Sequence, residues 1–497
     1  MKSLERWQTV FLVAGIGFFA LSFIGMGLAP WTTLRALRAP AGTTRSPLEE
    51  EGRRIYIAEG CWHCHTQFVR PVANEEMRYG PVSEAAEYTR DIPQLFGTRR
   101  VGPDLAREAG KHSNDWHLAH LHNPRSTTPW SVMPAFPWLF EDIGDKMVPT
   151  RRARALVAYL QSLGRGKLSE MERADQEYRK NFIAGPGPEK SASLVRRGKE
   201  LFRRECQGCH GAKGDGKGAA FDFLLPPARD FTAVRPTPQH TFTVLHTGVP
   251  GSAMHSFRNY PESDLWALAF YIEGLFKKPS TTPPVPRSSQ ILARGQNLYT
   301  TTCASCHGAT GRGDGPAGLG LKPPPANFPG LRPSPQEVYR VLNTGIPGTA
   351  MVAYPSLSEI DRWALALFVE QLATKGKGES TALAPAPPAP PIKQFPPASA
   401  TLLARGKTVF GQNCVSCHGV SGDGRGPAGR SLNPPPANLT DGNWKHGSTL
   451  ADIARVVQNG VPGTGMASWQ SLGEQNIIAV TYYVKSLTDP QLKRLAK

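Results

Sequence analysis

Four short motifs of the form C-x-x-C-H constrain this chain more than any other feature. They use all eight cysteines of the 497 residues and lie far apart along the sequence. The pattern is the attachment signature of c-type haem, because two thiols add to the haem vinyl groups and the adjacent histidine ligates the iron. The attachment cysteines are Cys61, Cys64, Cys206, Cys209, Cys303, Cys306, Cys414 and Cys417, and the proximal ligands are His65, His210, His307 and His418. The sequence therefore predicts four covalently bound haem c groups.

Two other uses of the cysteine pairs fit less well. A four-cysteine zinc site brings two C-x-x-C pairs within about fifteen to twenty residues of each other, whereas these pairs are separated much more widely. A thioredoxin-like dithiol needs a βαβ setting, and none surrounds the motifs.

The length allows three or four domains of ordinary size, and each motif is expected to organise one of them. We expect a mainly α protein, with one N-terminal transmembrane helix followed by four cytochrome c-type α-helical haem domains. The expected boundaries are an anchor at 1–40, a first haem domain at 41–170, a second at 190–280, a third at 288–376, a Pro-rich linker at 377–399 and a fourth haem domain at 400–497.

The N-terminus carries the expected membrane anchor. No charged residue occurs from Thr9 to Trp31, and this apolar run is long enough to cross a bilayer as a helix. Haem attachment of this type occurs outside the cytoplasmic membrane, so the haem domains are expected on the periplasmic side of a bacterial inner membrane. The formal charge of +17 could suit nucleic acid, but the basic residues are spread through loops, and no nucleic-acid partner is expected.

The second, third and fourth haem domains are repeats of one another. Each begins with a helix in which a glycine and an aromatic residue precede the C-x-x-C-H motif: Gly198 with Phe202, Gly295 with Tyr299, and Gly406 with Phe410. Each is expected to end with a closing helix, at Asp264–Leu275, Asp361–Leu372 and Glu474–Leu487. Class I cytochromes c look like this, with the glycine permitting close approach of the closing helix. Gly313–Gly318 and Gly424–Gly429 match G-x-G-x-x-G, but neither follows a strand or opens a helix, so a dinucleotide site is not expected.

A second repeated mark, G-[VI]-P-G-x-x-M, supplies the expected distal iron ligands Met254, Met351 and Met466. In the third domain His307 and Met351 are the only histidine and methionine, which makes this pair the expected ligands of a six-coordinate iron. Alternatives remain elsewhere. They are His240, His246 and His255 in the second domain and His446 in the fourth.

The first haem domain lacks this second mark. Met133 is its expected distal ligand, and a thioether would raise the haem potential relative to a second imidazole. The competing ligands are His112, His117, His120 and His122. Thr66–Arg100 forms a polar, charged insert between the motif and these residues. Such a long insert in a compact domain indicates a contact surface more than an idle loop.

The stretch from Cys61 to Trp138 resembles the monohaem subunit of cbb3-type haem–copper oxidases, a membrane-anchored cytochrome. The motifs that carry the resemblance are Gln67–Pro71, Glu75–Gly80, Gly97–Leu105, Asp115–His117, Asn123–Arg125 and Met133–Trp138. The resemblance implies that His65 and Met133 ligate the first iron and that the Thr66–Arg100 insert faces the catalytic subunit. The three later domains are similar to the cytochrome domains of the companion dihaem subunit, and also to many soluble cytochromes.

Together these features predict a membrane-anchored tetrahaem cytochrome with no catalytic site of its own. It would take electrons from an upstream donor, a soluble cytochrome or a quinol-oxidising complex, and pass them to the haem–copper catalytic subunit of a cbb3-type oxidase. Two alternatives stay open, namely an electron-transfer subunit of a nitric oxide reductase and a free-standing periplasmic carrier.

Overall fold

A computed structural model describes residues 2–40, 42–89, 91–144, 147–279, 281–318, 321–374, 389–426, 428–429, 432, 434–461 and 464–495. The chain is mainly helical, as predicted. It divides into two compact units, one formed by Met1–His122 with Phe136–Asn181 and the other by Asn123–Ala135 with Phe182–Lys497. Most of the predicted Pro-rich linker at 377–399 lies outside the described residues.

The N-terminal segment is one long helical stretch. It consists of α1 (Lys2–Phe23), a π-helical turn (Ile24–Leu28) and α2 (Ala29–Ala36). Among the described residues, Arg6–Thr33 is the one helix that is long and apolar enough to cross a membrane. Its apolar side chains, including Phe11 and Phe18, are exposed, as they would be if lipid surrounded the helix.

The rest of the first unit is built around two packed helices, α3 and α7. Ser46 begins α3 with a capping box, in which its hydroxyl accepts from the Glu49 N–H and the Glu49 carboxylate accepts from the Ser46 N–H at 2.7 Å. The elements are α3 (Pro47–Ala58), a 3₁₀ turn (Cys61–His63), α4 (Glu75–Tyr79), a 3₁₀ turn (Ala85–Tyr88), α5 (Asn114–His122), a 3₁₀ turn (Pro137–Leu139), strands β1 (Phe140–Asp142) and β2 (Met147–Pro149), α7 (Arg151–Leu160) and α8 (Arg165–Asn181). The two strands pair antiparallel, with Glu141 opposite Val148.

Helix α8 extends beyond residue 170, the expected end of the first haem domain. Its side chains are mostly charged, and none is buried. The Arg179 guanidinium donates to the Asp175 carboxylate one turn earlier, an i,i+4 pair of the kind that stabilises an exposed helix.

The second unit contains α6 (Pro124–Thr127) and three copies of one helical arrangement. The second domain has α9 (Ala192–Leu201), a π turn (Phe202–Cys206), α10 (Gln207–His210), a 3₁₀ turn (Phe221–Phe223), α11 (Pro238–Thr247) and α12 (Glu262–Glu273). The third has α13 (Ser289–Leu298), a π turn (Tyr299–Cys303), α14 (Ala304–His307), α15 (Phe328–Leu331), α16 (Pro335–Thr344) and α17 (Glu359–Thr374). The fourth has α18 (Ala400–Asn413), α19 (Val415–His418), α20 (Leu450–Asn459), a 3₁₀ turn (Gln470–Leu472), α21 (Glu474–Ser486) and α22 (Pro490–Leu495).

The repeats share their helix starts. The opening helices α9, α13 and α18 are capped by Ser191, Ser288 and Ser399, whose hydroxyls each accept an N–H three residues later. Hydroxyl residues also cap α11, α16 and α20, namely Thr237, Ser334 and Thr449. A capping hydroxyl satisfies one of the free N–H groups of the first turn, which fixes where each helix begins.

Each opening helix crosses its closing helix at the predicted glycine. A Cβ at Gly198, Gly295 or Gly406 would overlap the backbone carbonyl of Ala267, Ala364 or Ala479 respectively. The first haem domain has the same close helix crossing, which was not predicted from the sequence. A Cβ at Gly52 of α3 would overlap the Ala155 carbonyl of α7. An aromatic pair lies beside each crossing, with ring centroids 5.2–5.4 Å apart. The pairs are Tyr56–Tyr159, Phe202–Tyr271, Tyr299–Phe368 and Phe410–Tyr483.

Candidate haem sites

The four C-x-x-C-H motifs occupy equivalent places, directly after an opening helix. None of the eight cysteines forms a disulfide. Burial raises the pKa of the Cys61, Cys303 and Cys414 thiols to about 12.

The motif histidines share one orientation. In every case Nδ1 faces a backbone carbonyl, to which it can donate: His65 to Pro103 at 2.9 Å, His210 to Arg229 at 3.0 Å, His307 to Ala326 at 3.3 Å and His418 to Ala437 at 3.1 Å. Nδ1–H donation fixes the tautomer and leaves the Nε2 lone pair available for a metal. Burial lowers the pKa of all four imidazoles, and a neutral imidazole is the form that ligates iron.

Proline clusters directly precede two of these carbonyls. Ala326 follows Pro323–Pro325, and Ala437 follows Pro434–Pro436. An aromatic ring stacks on two of these histidines. The ring centroids of Phe231 and His210 lie 4.6 Å apart, and those of Phe328 and His307 lie 4.7 Å apart. The residues present thus fit a c-type haem at each motif, with thiols for attachment and an oriented imidazole for the iron.

The three repeated methionines lie in loops of one shape. The carbonyls of Met254, Met351 and Met466 each accept from the N–H five residues earlier, at 2.8, 2.8 and 2.9 Å. Each methionine N–H donates to a hydroxyl two residues earlier, from Ser252, Thr349 or Thr464. Each side chain is half-buried and packs against the core of its own domain.

The histidines considered as alternative ligands in the second and fourth domains have other surroundings. His246 stacks against Phe182 and Phe242, with centroid distances of 4.5 and 4.7 Å, and His255 stacks on Phe257 at 4.5 Å. His240 lies against Gly330 of the third domain, and His446 is exposed.

Met133 shares the hydroxyl contact of the other three methionines, since its N–H donates to the Ser131 hydroxyl at 3.2 Å. It lies in the second unit, whereas His65 lies in the first. Among the rivals, His117 is buried with Nε2 3.6 Å from a Glu108 oxygen. His120 is close enough to His65 for their charges to interact, and burial with this charge lowers the pKa of His120 to about 4.

The Thr66–Arg100 insert is held by a network of charges that sequence reasoning missed. The carboxylate of Glu75 accepts from the Arg100 guanidinium, with Nη2 at 2.9 Å, and from Arg70 Nε at 2.6 Å. Arg100 also donates to the Phe68 carbonyl at 2.8 Å, and Asp104 accepts from the Phe68 N–H at 2.9 Å. The network joins both ends of the insert to its middle. The sequence contains opposite charges that lie far apart along the chain. Which of them pair cannot be predicted without the fold.

This network should make the first domain sensitive to acid. Hydrogen bonds from Arg100, opposed by desolvation and supported by Arg70, lower the pKa of Glu75 to about 2. A depressed carboxyl pKa contributes stability that is present above its unfolded value and is lost as the pH falls toward the folded value. We expect Glu75→Gln to destabilise the domain by about 3 kcal/mol at neutral pH and to flatten its stability between pH 4.5 and about 2. Thermal unfolding across that pH range measures both. Glu76→Gln, at the neighbouring exposed position, is the control, and an equal effect of the two variants would contradict the prediction.

The insert also exposes apolar side chains around this network. Ile92 is 81% exposed, Met77 76% and Val72 52%. Large apolar side chains exposed on this charged insert favour an interaction surface there.

Three family models match successive segments of the chain. Residues 2–148 match the family described as cytochrome c oxidase, mono-heme subunit/FixO. Residues 193–272 and 290–369 each match the cbb3-type cytochrome c oxidase subunit III family, and residues 403–488 match the cytochrome c family. The predicted resemblance is thereby confirmed: residues 2–148 are similar to a cbb3-type oxidase mono-haem subunit, and the three later segments are similar to cytochrome c domains. These similarities support covalently bound haem c in the chain.

Individual relatives match part of the chain. The chain is 24% identical over 213 residues to the cbb3-type cytochrome c oxidase subunit CcoP of Azospirillum brasilense, covering 39% of this chain and 62% of that protein. It is 27% identical over 210 residues to subunit FixP of Azorhizobium caulinodans, covering 39% of this chain and 59% of the relative. It therefore spans about three fifths of the length of these curated relatives. A solved structure, the Kuenenia stuttgartiensis reducing HAO-like protein complex, matches 42% of this chain and 100% of its own at 25% identity, with a TM-score of 0.17.

Proposed function

We propose that this chain is a tetrahaem electron conduit, anchored in the bacterial inner membrane with its haem domains on the periplasmic side. It takes electrons from a soluble cytochrome or a quinol-oxidising complex and passes them to the haem–copper catalytic subunit of a cbb3-type oxidase, which reduces oxygen. The observation that carries this proposal is the fourfold repetition of one site, a C-x-x-C-H motif whose histidine Nδ1 faces a backbone carbonyl.

The proposed iron ligands are one histidine and one methionine in each domain. They are His65 with Met133, His210 with Met254, His307 with Met351, and His418 with Met466. The common loop geometry of the last three methionines supports their equivalence, and the hydroxyl contact of Met133 extends part of that geometry to the first domain.

The chain's residues prepare these sites for electron transfer without substrate chemistry. The bound haem iron supplies one-electron redox chemistry. The backbone carbonyls hold each imidazole in one tautomer. A methionine thioether would be the second protein ligand of each iron, so a haem held in this way would offer no position for a substrate. A thioether also raises the potential relative to a second imidazole, which suits donation to an oxygen-reducing partner.

The partner assignment is supported by the insert. In the family that residues 2–148 match, this segment is expected to face the catalytic subunit. Its exposed apolar side chains, among them Met77 and Ile92, provide a surface for such a contact. The apolar helix Arg6–Thr33 would place the insert beside a membrane-embedded partner.

The first distal ligand can be tested directly. We expect Met133→Ala to lower the potential of the first haem, on the order of 0.1–0.3 V within the range that axial ligands span, and to open the iron to carbon monoxide. His120→Ala should leave both properties unchanged. Redox titration and carbon monoxide difference spectra of the chain purified free of other subunits measure this. A carbon monoxide adduct in His120→Ala but not in Met133→Ala would assign a bis-histidine site instead.

The partner is tested by purifying the chain in mild detergent through a C-terminal tag and identifying co-purifying proteins by mass spectrometry. We expect a many-span haem–copper subunit in stoichiometric yield, with oxygen uptake when a reductant is added. A preparation that reduces nitric oxide but not oxygen would show a nitric oxide reductase. Recovery of the tetrahaem chain alone would contradict the assigned partner and favour a free-standing carrier.

A further inference from the structure

The third and fourth haem domains meet through the segments that follow their methionines. Tyr354 lies three residues after Met351, and Trp469 three residues after Met466. Their rings contact each other, with centroids 5.6 Å apart and planes at 31°. Tyr354 packs against the hydrophobic cores of both domains, so it joins them rather than belonging to one.

The contact continues to the haem-attachment motifs on both sides. The Ser356 hydroxyl of the third domain donates to the side-chain oxygen of Asn413 at 2.8 Å. Asn413 is buried and directly precedes Cys414 of the fourth domain. In the reverse direction, the Gln470–Leu472 turn of the fourth domain packs against Tyr299–Cys303 of the third. In each of the two domains, the segment that follows the methionine therefore contacts the segment that precedes the first attachment cysteine of the other domain.

This arrangement places the attachment segments of both domains at one contact. Asn413 directly precedes Cys414, and the Tyr299–Cys303 turn ends at the first attachment cysteine of the third domain. Haem bound at the two motifs would therefore lie near this contact.

The second and third domains are joined differently, which shows that this contact is not a general property of the repeat. Their backbones pair along a short bridge between Val234 and Pro333, where the Arg235 N–H donates to the Arg332 carbonyl at 3.1 Å. Phe257, the counterpart of Tyr354 in the second domain, is buried in the core of its own domain.

We propose that the third and fourth haem domains form a fixed electron-exchange pair, docked through Tyr354 and Trp469, in which each domain covers the haem-attachment face of the other. The inference rests on the proposed function, because it requires haem at both motifs. A single electron moves from a ferrous to a ferric iron, and no bond is made or broken. An external donor cannot use the covered faces and must deliver electrons to another surface.

The test uses the full chain with its four haems and compares Tyr354→Leu with Tyr339→Leu. Tyr339 is a half-buried tyrosine of the third domain that stacks on Trp363 at 4.2 Å, inside that domain. Two haems held close together couple in the Soret circular dichroism spectrum and give a band with two lobes of opposite sign. We expect Tyr354→Leu to lose the contribution of this pair and to lose hydrogen-exchange protection in 470–472, whereas Tyr339→Leu keeps both.

Ser356→Arg provides a second disruption that alters no core side chain, since Ser356 is exposed on the third domain. It should produce the same two losses. Combining it with Tyr354→Leu should add nothing further, because both act on one contact. Ser356→Arg serves as the test if Tyr354→Leu does not retain its haem.

The inference is overturned if Tyr354→Leu and Ser356→Arg match Tyr339→Leu in both measurements. A pyridine haemochrome assay on each sample separates this from failure of the proposed function. Fewer than four haems in the unaltered chain would refute the tetrahaem assignment, whereas four haems with an unchanged spectrum in the variants would refute the pair alone.

Discussion

Replacing Gly406 with alanine should unfold the fourth haem domain at much lower temperature than in the unaltered chain. The added Cβ would overlap the Ala479 carbonyl where α18 crosses α21, and a backbone group cannot move aside as a flexible side chain can. Overpacking of a close helix crossing costs about 3 kcal/mol, which corresponds to about 4–8 °C in Tm for each kcal/mol in a domain of this size. Thermal unfolding and hydrogen exchange of α18 and α21 measure the effect.

The same helix offers a matched control. Gly411 lies five residues further along α18, and no atom lies within 4 Å of the position that a Cβ would take there. Gly411→Ala should therefore stabilise the helix by about 0.5–1 kcal/mol, because alanine loses less backbone entropy than glycine on folding. Equal effects of the two substitutions would show that the helices do not cross at Gly406.

Replacing Met351 with alanine should convert the third haem into a site that binds carbon monoxide. The Met351 loop is held by its own hydrogen bonds. The Met351 carbonyl accepts from the Ile346 N–H at 2.8 Å, and the Met351 N–H donates to the Thr349 hydroxyl at 3.0 Å. Its backbone should therefore survive the loss of the side chain. Without the thioether the potential of this haem should fall, on the order of 0.2 V within the range that axial ligands span.

Carbon monoxide difference spectra and redox titration of the chain free of other subunits measure this change. Met351→His is the control, because an imidazole restores six-coordination and should exclude carbon monoxide while still lowering the potential. Carbon monoxide binding by the third haem of the unaltered chain would show that Met351 is not its ligand.

Repetition explains why much of the fold could be predicted from one sequence. The glycine, the aromatic residue and the closing helix recur in three domains, so a chance pattern in one would not recur in the others. The predicted closing helix Asp361–Leu372 is observed as Glu359–Thr374, and Gly295 lies at the crossing as expected. For the closing helices the differences are confined to the helix ends, where local capping decides the boundary.

Contacts between residues that lie far apart along the chain could not be predicted from the sequence. Glu75 and Arg100 are ordinary charges in a polar insert until the fold brings them together. Tyr354, Phe257 and Trp469 occupy the same place in three repeats, yet one is buried in its own domain while the other two contact each other. Identical local sequence patterns cannot distinguish these outcomes, because the choice depends on how whole domains pack.

The most direct test of the conduit is the reaction of the fully reduced, purified complex with oxygen, followed by rapid mixing in the c-type haem absorption band. If the chain feeds an oxygen-reducing partner, the c-type band should be reoxidised through the complex, with four electrons contributed by this chain. When the partner is removed, the c-type band should no longer be reoxidised. A c-type band that stays reduced while the catalytic haems turn over would contradict the account.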